Sequence, residues 1–346
     1  MKKNSLSFQL DPEDFLPASD EEKQSLVVMR ESVSFWKDGL RRLLKNKIAM
    51  VSFFVIVVIM FFSFIVPSFY PYTYEQQIKG SENLAPFEYS EKEQERIEAG
   101  EDVFPHVFGT DKLGRDYAIR VMMGSSISLM VGLVAAVIIL VIGSIYGSVA
   151  AFFGGWVDMA MMRIVDIIYT IPDVLLILLL AVSIRNPLKA WVEKTGFTWL
   201  KSLGPNMISI FIIFALLYWV SMARMVRSQI LILKESEFVT AARALGASSA
   251  RIIKEHLLTN CIGTLIVMTT LQIPSSIFTE SFLSFLGLGV AAPMPSLGSL
   301  AGDAINGLNT YPHLLFIPAV LISLIILSFN LFGDGLRDAF DPKLKH

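Results

Sequence analysis

Few side chains in this sequence stand where they could carry out chemistry, and the most unusual is a lone acid inside an apolar run. Asp173 follows Pro172 and lies close to Thr170, with isoleucines and leucines on both sides. An acidic side chain at the centre of a membrane-spanning helix costs about 2.5–3.5 kcal/mol on insertion scales. The carboxylate is therefore either structural, bonding a backbone group near the proline, or functional, handling an ion or substrate.

Four further charged residues lie beside apolar runs. Asp111, Arg115 and Asp116 occur together in the turn-like stretch "GTDKLGRD", and Glu280 lies near the end of a later apolar run. We interpret the four as lining an outer mouth or contacting a partner protein. Ion pairing within the loop, and a satisfied interfacial carboxylate in the case of Glu280, are the structural alternatives.

Patterns for catalysis, metal binding and nucleotide binding are missing from the sequence. His106, His256, His313 and His346 lack ligand spacing, and no Ser-His-Asp or Cys-His set suggests itself. The phosphate-binding pattern G-x-x-x-x-G-K-[ST] does not occur, so we expect no ATP hydrolysis by this chain alone. The single cysteine, Cys261, excludes an internal disulfide. We assign no catalytic residue, metal site or cofactor to the chain, and leave its substrate-binding residues unassigned.

The elements that position these residues follow from the apolar runs. Of 346 residues, 53% are hydrophobic and only 17% are charged, against about 25% in soluble domains. A membrane's hydrocarbon core needs about 20 helical residues to cross it. Six runs approach or exceed that length: 48–66, 124–157, 167–184, 203–223, 257–279 and 314–333. These runs predict an all-α membrane protein with six transmembrane helices, and the net charge of −2 gives no sign of nucleic-acid binding.

Basic residues indicate which way the chain crosses the membrane. The stretch "KDGLRRLLKNK", directly before the first apolar run, has five basic residues and one acid, which places the N-terminus in the cytoplasm. Six crossings return the C-terminus to the same side. The predicted parts are a cytoplasmic tail (1–35), an interfacial helix with the first transmembrane helix (36–66), an extracytoplasmic loop (67–124), a transmembrane core (125–336) and a cytoplasmic tail (337–346). Within the loop, "EKEQERIEAG" predicts a short helix.

One polar stretch, Lys234 to His256, interrupts the apolar runs on the predicted cytoplasmic side. Ser236 and Glu237 suit the start of a helix, and Gly246 suits its end. Between them, four apolar side chains recur at helical spacing: Phe238, Ala241, Ala242 and Leu245. A second short helix is predicted from Ser248 or Ser249. The stretch is too short and too charged to cross a membrane, and its apolar stripe indicates a site where another protein docks.

Here the sequence resembles a known family. "AARALG" followed by "HLLTN" is similar to the coupling loop of ATP-binding-cassette (ABC) import permeases, with Ala241, Ala242, Gly246 and Leu258 at matching positions. Thr240 and Thr259 stand where the general pattern has Glu and Pro. The resemblance implies that the ATPase-coupling loop (236–256) and its end comprise Glu237, Phe238, Ala241, Ala242, Arg243, Leu245, Gly246, His256 and Leu258.

Further motifs resemble the C-type subunit of the oligopeptide, dipeptide and nickel branch of that family. They are "FGTDKLGRD", "GGWVDMAMMRIVDIIYTIP", "ESFLSFLGLGVAAPMPSLGSL" and "FNLFGDGLRDAFDPKL". The resemblance covers residues 36–62 and 104–344, and the motifs follow in the same order. It implies a type I ABC importer permease fold with a cytoplasmic coupling helix, in a prokaryotic plasma (inner) membrane.

The resemblance also implies partners and a substrate. The expected partners are a second homologous permease, two ABC ATPase subunits that carry ATP and Mg, an extracytoplasmic peptide-binding protein and membrane lipid, without nucleic acid. Oligopeptides are the expected substrate; dipeptides, nickel and glutathione are the alternatives within the family. An ion-coupled secondary transporter, an intramembrane enzyme built on Asp173 and Thr170, and a sensory scaffold are more remote readings of the same sequence.

Overall fold

The computed structural model of the protein describes residues 34–195, 204–290 and 292–340. Over these ranges the chain is helical, and its one β feature is an isolated bridge between Thr110 and Asp116. Six helices are long and apolar enough to cross a membrane, which confirms the predicted all-α architecture. We number these spans one to six: Lys47–Ser68, Tyr117–Phe153, Asp173–Lys194, Pro205–Leu233, Ile262–Phe285 and His313–Phe340.

The ends of two spans differ from the predicted bounds. Span two begins at Tyr117 rather than at residue 124, because the Asp116 carboxylate accepts a hydrogen bond from the Ile119 amide (3.0 Å) and caps the helix. The loop before it is correspondingly shorter. Span six continues to Phe340, past the predicted start of the C-terminal tail at residue 337, and residues 341–346 lie outside the described part of the chain. The apolar runs located the helices, whereas polar caps and polar last turns extended them.

The third apolar run is divided between two helices. A helix from Gly155 to Thr170, here called the linker helix, is followed by a separate helix from Asp173 to Thr195. Pro172 lacks an N–H and disfavours helical geometry in the residue before it, and Ile171 is indeed extended (φ −82°, ψ 133°). The predicted run 167–184 straddles this break. The helix continues past the end of that run to Thr195, and residues 196–203 are not among those described.

Span two is the central helix of the bundle and packs against spans four and five through glycines. A Cβ atom at Gly147 would collide with the Ala223 carbonyl of span four, and one at Gly132 with the Ile277 side chain of span five. Small residues at such crossings let helix backbones approach closely. Span four itself contains a π-helical turn, Phe214–Tyr218, between helices Pro205–Ile213 and Trp219–Leu233.

Two short helices lie outside the spans. The helix Phe35–Lys45 packs its Leu43 against the end of span six, and the Trp36 ring meets the Phe340 ring edge to face at 5.6 Å. The helix is present as predicted, and its place along a membrane surface stays a prediction. In the loop between spans one and two, a helix Glu91–Glu98 begins with a capping box formed by Ser90 and Glu93.

Candidate functional site

The predicted coupling loop forms two short helical segments that leave span four and return to span five. The first, Glu237–Ala244, is here called the coupling helix, and Glu237 occupies its first turn. Gly246 follows with φ +80°, a left-handed conformation that ends the helix and that glycine adopts at little cost. The Ser248 hydroxyl then accepts a hydrogen bond from the Arg251 amide (3.4 Å) at the start of the second segment.

The inner face of the coupling helix differs from the predicted stripe. Val239 is fully buried and Ala242 is 8% exposed, and both belong to a core cluster with Ile230, Ile252 and Leu257. The sequence interpretation placed Ala242 on the face open to a partner, which is wrong for this conformation. Positions 239 and 242 share one side of the helix, and the returning segment covers that side.

The outer face of the coupling helix is apolar and uncovered. Phe238 is 39% exposed, Leu245 is 88% exposed, and Ala241 between them is also exposed. Their spacing of three and four residues puts them on one side of the chain, next to the buried side that carries Val239 and Ala242. We call Phe238, Ala241 and Leu245 the docking face. Leu245, which directly follows the last residue of the coupling helix, is the most exposed of the three.

Polar contacts fix the coupling helix to the ends of the spans. The Arg243 guanidinium lies over the Phe152 ring at the end of span two (5.2 Å to the ring centroid). The Lys234 ammonium donates to the Ala151 carbonyl of the same span end (3.1 Å). The stretch between spans four and five therefore also contacts the end of span two.

The returning segment is wound more widely than an α-helix. Ile252–Leu257 is π-helical, and Ile252 and Leu257 are both buried beneath the coupling helix. His256 accepts through its carbonyl from the Asn260 side-chain amide (2.6 Å), and Leu258 is half-buried. Thr259, at the position of the family proline, donates its hydroxyl to the Lys254 carbonyl (3.2 Å), so the chain continues without a proline bend.

Two ion pairs join the linker helix to span four near the coupling loop. Arg227 donates to Asp158 through two nitrogens, at 2.5 and 2.6 Å, in a bidentate arrangement. Arg224 pairs with Asp166 at 2.8 Å and also lies over the Tyr169 ring. The linker helix is thereby held to the same span that ends in the coupling loop.

The predicted outer-mouth residues of the loop before span two have partners within the chain. Asp111 accepts from the amide of Arg115 (3.0 Å) and from its guanidinium (2.8 Å), and it also pairs with Arg120. Burial raises the pKa of the Asp111 carboxyl, but Arg120 and the Arg115 hydrogen bonds outweigh burial and hold that pKa below its usual value. Asp111, Arg115 and Asp116 are all buried, so the ion-paired alternative describes them in this conformation. Their contact with a partner protein stays a prediction.

Glu280 does not lie at an open mouth. Its carboxylate is fully buried between spans two and five, where it accepts hydrogen bonds from Ser128 and Ser284 (both 2.7 Å). Ser284 in turn accepts from the Val290 amide (3.0 Å), and Ser128 from the Leu297 amide at the start of the helix Leu297–Ala304. Glu280 therefore links two spans to the loop before span six. The sequence placed this acid at a span end but could not show that serines from distant positions surround it.

A buried histidine in the loop before span two was missed by the sequence analysis. The two ring nitrogens of His106 lie 2.8 Å from Asp116 and 3.1 Å from Glu93, and the Tyr72 ring stacks on the imidazole at 4.8 Å. Burial lowers the pKa of His106, but its bonds to the two carboxylates outweigh burial and raise it. The S-x-x-E capping pattern at Ser90 was the available signal for Glu93; nothing in the local sequence marked His106 as its partner.

A cavity of about 550 Å³ opens beside the helix break at Ile171 and Pro172. Its polar lining comes from the break, from span four and from span five, and comprises Tyr169, Thr170, Asp173, Tyr218, Ser221, Gln272 and Ser275. Asp173 is exposed, and its carboxylate accepts a hydrogen bond from the Val174 amide (2.8 Å). The structure thus places Asp173 at an open space, whereas Glu280 in span five is buried among serines.

Six apolar spans with span two at their centre, and a two-helix loop seated on the ends of spans two, four and five, define a membrane permease subunit. The chain belongs to the family described as binding-protein-dependent transport system inner membrane components, whose model matches residues 141–346. A second model, the N-terminal TM domain of oligopeptide transport permease C, matches residues 34–86.

Curated relatives cover nearly the whole chain. The oligopeptide transport system permease protein OppC of Bacillus subtilis is 38% identical over 96% of this chain and 97% of its own length. The dipeptide transport system permease protein DppC of the same organism is 39% identical over 97% of this chain and 95% of its own length. The OppC protein of Escherichia coli K12 is 37% identical over 90% and 93%, respectively.

Proposed function

We propose that this chain is a permease subunit of an ATP-driven importer and forms, with a second permease, the membrane path for oligopeptides. Separate ATPase subunits dock on the coupling loop, and an extracytoplasmic binding protein delivers the peptide. The observation that carries the proposal is the two-sided coupling helix. Its docking face is apolar and uncovered, while Val239 and Ala242 on the neighbouring side are buried against the spans.

The two sides of this helix suit the transmission of force between proteins. ATP binding closes the ATPase subunits and moves the docking face. The buried side then carries the displacement into the spans, because packed cores shift as units rather than deform continuously. The Arg243 contact with Phe152 and the Lys234 contact with Ala151 extend this connection to span two.

Oligopeptides are the proposed substrate because the N-terminal segment matches the permease C model and relatives named for oligopeptide transport align over nearly the full length. A dipeptide importer is the second candidate, since a relative named for dipeptide transport is equally similar. Nickel and glutathione remain more distant alternatives. The proposed location is a prokaryotic inner membrane, with both termini and the coupling loop in the cytoplasm.

The proposal is tested by placing a charge on the docking face of the assembled complex. Leu245→Glu is expected to leave membrane insertion intact, because this side chain is 88% exposed, and to abolish ATP-dependent peptide uptake. Glu255→Gln is the matched control, because Glu255 is exposed on the same loop but off the docking face. Uptake by the Leu245→Glu complex at the parent rate would refute the docking assignment.

Uptake assays with di-, tri- and pentapeptides in the same membranes separate the substrate candidates. Import of the longer peptides supports the oligopeptide assignment, and import restricted to dipeptides supports the second candidate. A proton-gradient uncoupler that stopped uptake at constant ATP would instead favour an ion-coupled transporter.

A further inference from the structure

The cavity beside the helix break lies midway along the spans that line it. Tyr218 is close to the middle of span four, Pro205–Leu233, and Gln272 is close to the middle of span five, Ile262–Phe285. The linker helix adjoins the half of span four that leads to the coupling loop, through Asp158 and Arg227. Asp173, the first residue of span three, therefore shares a cavity with residues from the middle of spans four and five. Carboxylates within the membrane-spanning part of a protein are rare and often functional.

The lining of this cavity favours a positive charge. It contains one carboxylate, that of Asp173, and no lysine or arginine among its described residues. Arg224, which contacts the lining residue Tyr169, is already paired with Asp166. The lining of the cavity therefore carries one excess negative charge, which attracts a cation.

Hydrogen-bond acceptors surround the same point. Pro172 has no N–H to donate to the carbonyl of Ile168, and the linker helix ends at Thr170 with its last carbonyls at the break. The Thr170 hydroxyl donates to the Asp166 carbonyl (2.7 Å), which leaves the lone pairs of the hydroxyl oxygen available. The side-chain amide nitrogen of Gln272 donates to the Tyr218 carbonyl (3.4 Å). The side-chain oxygen of Gln272 receives no hydrogen bond from the described residues and is available as an acceptor.

An ammonium group fits this arrangement. It carries three N–H donors and no acceptor, so it needs a carboxylate together with neutral oxygen acceptors. The C-terminal end of the linker helix carries partial negative charge and the N-terminal end of span three carries partial positive charge at the same break, so the preference for a cation comes from the carboxylate and the neutral oxygens. The Val174 amide donates to one oxygen of the Asp173 carboxylate, and the other oxygen receives no hydrogen bond from the described residues.

We propose that the cavity around Asp173 is a station on the peptide path and that Asp173 binds the ammonium group of the passing peptide. This inference rests on the proposed function. Every unmodified peptide has an ammonium group at its N-terminus, so the station serves peptides of any sequence. A lysine side chain supplies the same chemistry, and the experiments below separate the two sources.

The charge of the cavity can be measured without a transported substrate. In the assembled complex, Ser275→Cys places a thiol in the lining, and the native Cys261 is buried and gives little background. The reaction rates of the thiol at position 275 with cationic trimethylammonium-ethyl methanethiosulfonate and with anionic sulfonatoethyl methanethiosulfonate are measured. The ratio of the two rates is then compared between complexes that keep Asp173 and complexes that carry Asp173→Asn. Loss of the carboxylate is expected to lower the cation-to-anion ratio about tenfold, the effect of about 1.4 kcal/mol.

The control for this measurement is Glu193→Gln, which removes an exposed acid from the same helix away from the cavity and should leave the ratio unchanged. An equal ratio with and without the Asp173 carboxylate overturns the proposal. The proposal is also overturned if the thiol at position 275 reacts with neither reagent, because the cavity would then be closed to water.

Uptake measurements test the peptide itself. Asp173→Asn is expected to reduce import of tri-alanine at least tenfold, and Asp173→Glu to restore most of it. Rates are expressed relative to the parent complex for the same peptide, which cancels selection by the delivering protein. An N-acetylated peptide with one lysine, imported by the parent complex, identifies the ammonium source: its import should be insensitive to Asp173→Asn if the N-terminus is bound and reduced if lysine is.

The two assays separate failure of this inference from failure of the proposed function. Parent-rate import of tri-alanine by the Asp173→Asn complex refutes the ammonium station and leaves the permease assignment intact. A parent complex that imports no peptide refutes the proposed function, while the thiol reaction rates still decide whether Asp173 sets the charge of the cavity.

Discussion

The Arg243 guanidinium of the coupling helix lies over the Phe152 ring at the end of span two, 5.2 Å from the ring centroid. The two residues are far apart in sequence, and the contact ties the loop between spans four and five to the central helix of the bundle. An arginine over an aromatic face is held by electrostatic attraction to the ring and keeps its outer side in water. The pair can therefore follow the coupling helix as it moves.

Arg243→Ala is expected to weaken coupling without abolishing it. A cation–π contact at an exposed site corresponds to about a two- to fivefold change in an equilibrium. The ratio of peptide imported to ATP hydrolysed should fall by a similar factor. The control is Arg251→Ala, because Arg251 pairs only loosely with Glu255 (3.6 Å) on the same loop. Equal ratios for the two variants would show that the ring contact carries no displacement.

Truncation of Val239 should lower the thermal stability of the complex, whereas truncation of Leu245 should reduce its ATP hydrolysis. Val239→Ala removes buried methyl groups worth about 0.8 kcal/mol each and should lower the Tm of the purified complex. Leu245→Ala removes an exposed side chain and should leave Tm unchanged while reducing peptide-stimulated ATP hydrolysis. Thermal unfolding and hydrolysis assays on both variants check the contrast. A lower Tm for Leu245→Ala would mean that this residue supports the fold of the chain itself.

Gly246→Val should strain the turn between the two segments of the loop. No neighbouring atom lies within 4 Å of an added Cβ, so the cost comes from the backbone at φ +80°, about 1–2 kcal/mol for a residue with a side chain. The protein should reach the membrane, with ATP hydrolysis uncoupled from uptake. Gly246→Asn should retain more coupling, because asparagine tolerates this conformation better than valine. Normal uptake by Gly246→Val would remove the turn from the mechanism.

The Glu93–His106–Asp116 contacts should make the loop before span two most stable at intermediate pH. The raised pKa of His106 means that its stabilisation is complete below about pH 6.5, the unfolded value, and is lost as pH rises through the higher folded value. Burial raises the pKa of Glu93, but bonds from Ser90 and His106 outweigh burial and lower it. Its stabilisation is therefore complete above about pH 4.3 and is lost as pH falls through the lower folded value.

Protection of backbone amides at residues 90–116 against hydrogen exchange, corrected for the intrinsic pH dependence of exchange, measures this stability. Protection should decline on both sides of the optimum, and His106→Gln should remove the alkaline decline. A pH-independent protection pattern in the parent protein would contradict the assigned ion pairs.

How far the sequence predicted this structure depended on the range of the interactions involved. The apolar runs located all six spans, and the capping residues and Gly246 located the coupling helix, because those signals are local. The faces of the coupling helix were only partly assigned. Ala242 turns inward because Ile252 and Leu257 return beneath it, and a single helix's sequence pattern does not contain that information.

Contacts between residues far apart in sequence could not be predicted, because they leave no local sequence pattern. Glu280 meets Ser128 across 152 positions of sequence, and His106 lies between two acids whose own patterns suggest helix caps. The helix break at Pro172 was visible as a proline beside an acid. The cavity beside the break is also lined by residues of span five, and the sequence around Pro172 carries no information about that long-range contact.

Docking of an ATPase subunit on the coupling helix is tested by crosslinking from the docking face. A Leu245→Cys variant, whose thiol would be exposed, is treated with a short thiol-to-amine crosslinker in the complete complex, with Ala242→Cys as the control because Ala242 is buried. We expect a crosslink from position 245 to an ATPase subunit, with little from position 242, and no reaction of position 245 with a membrane-impermeant thiol reagent outside intact cells. Labelling of position 245 from outside, or a crosslink to the extracytoplasmic binding protein, would contradict this docking.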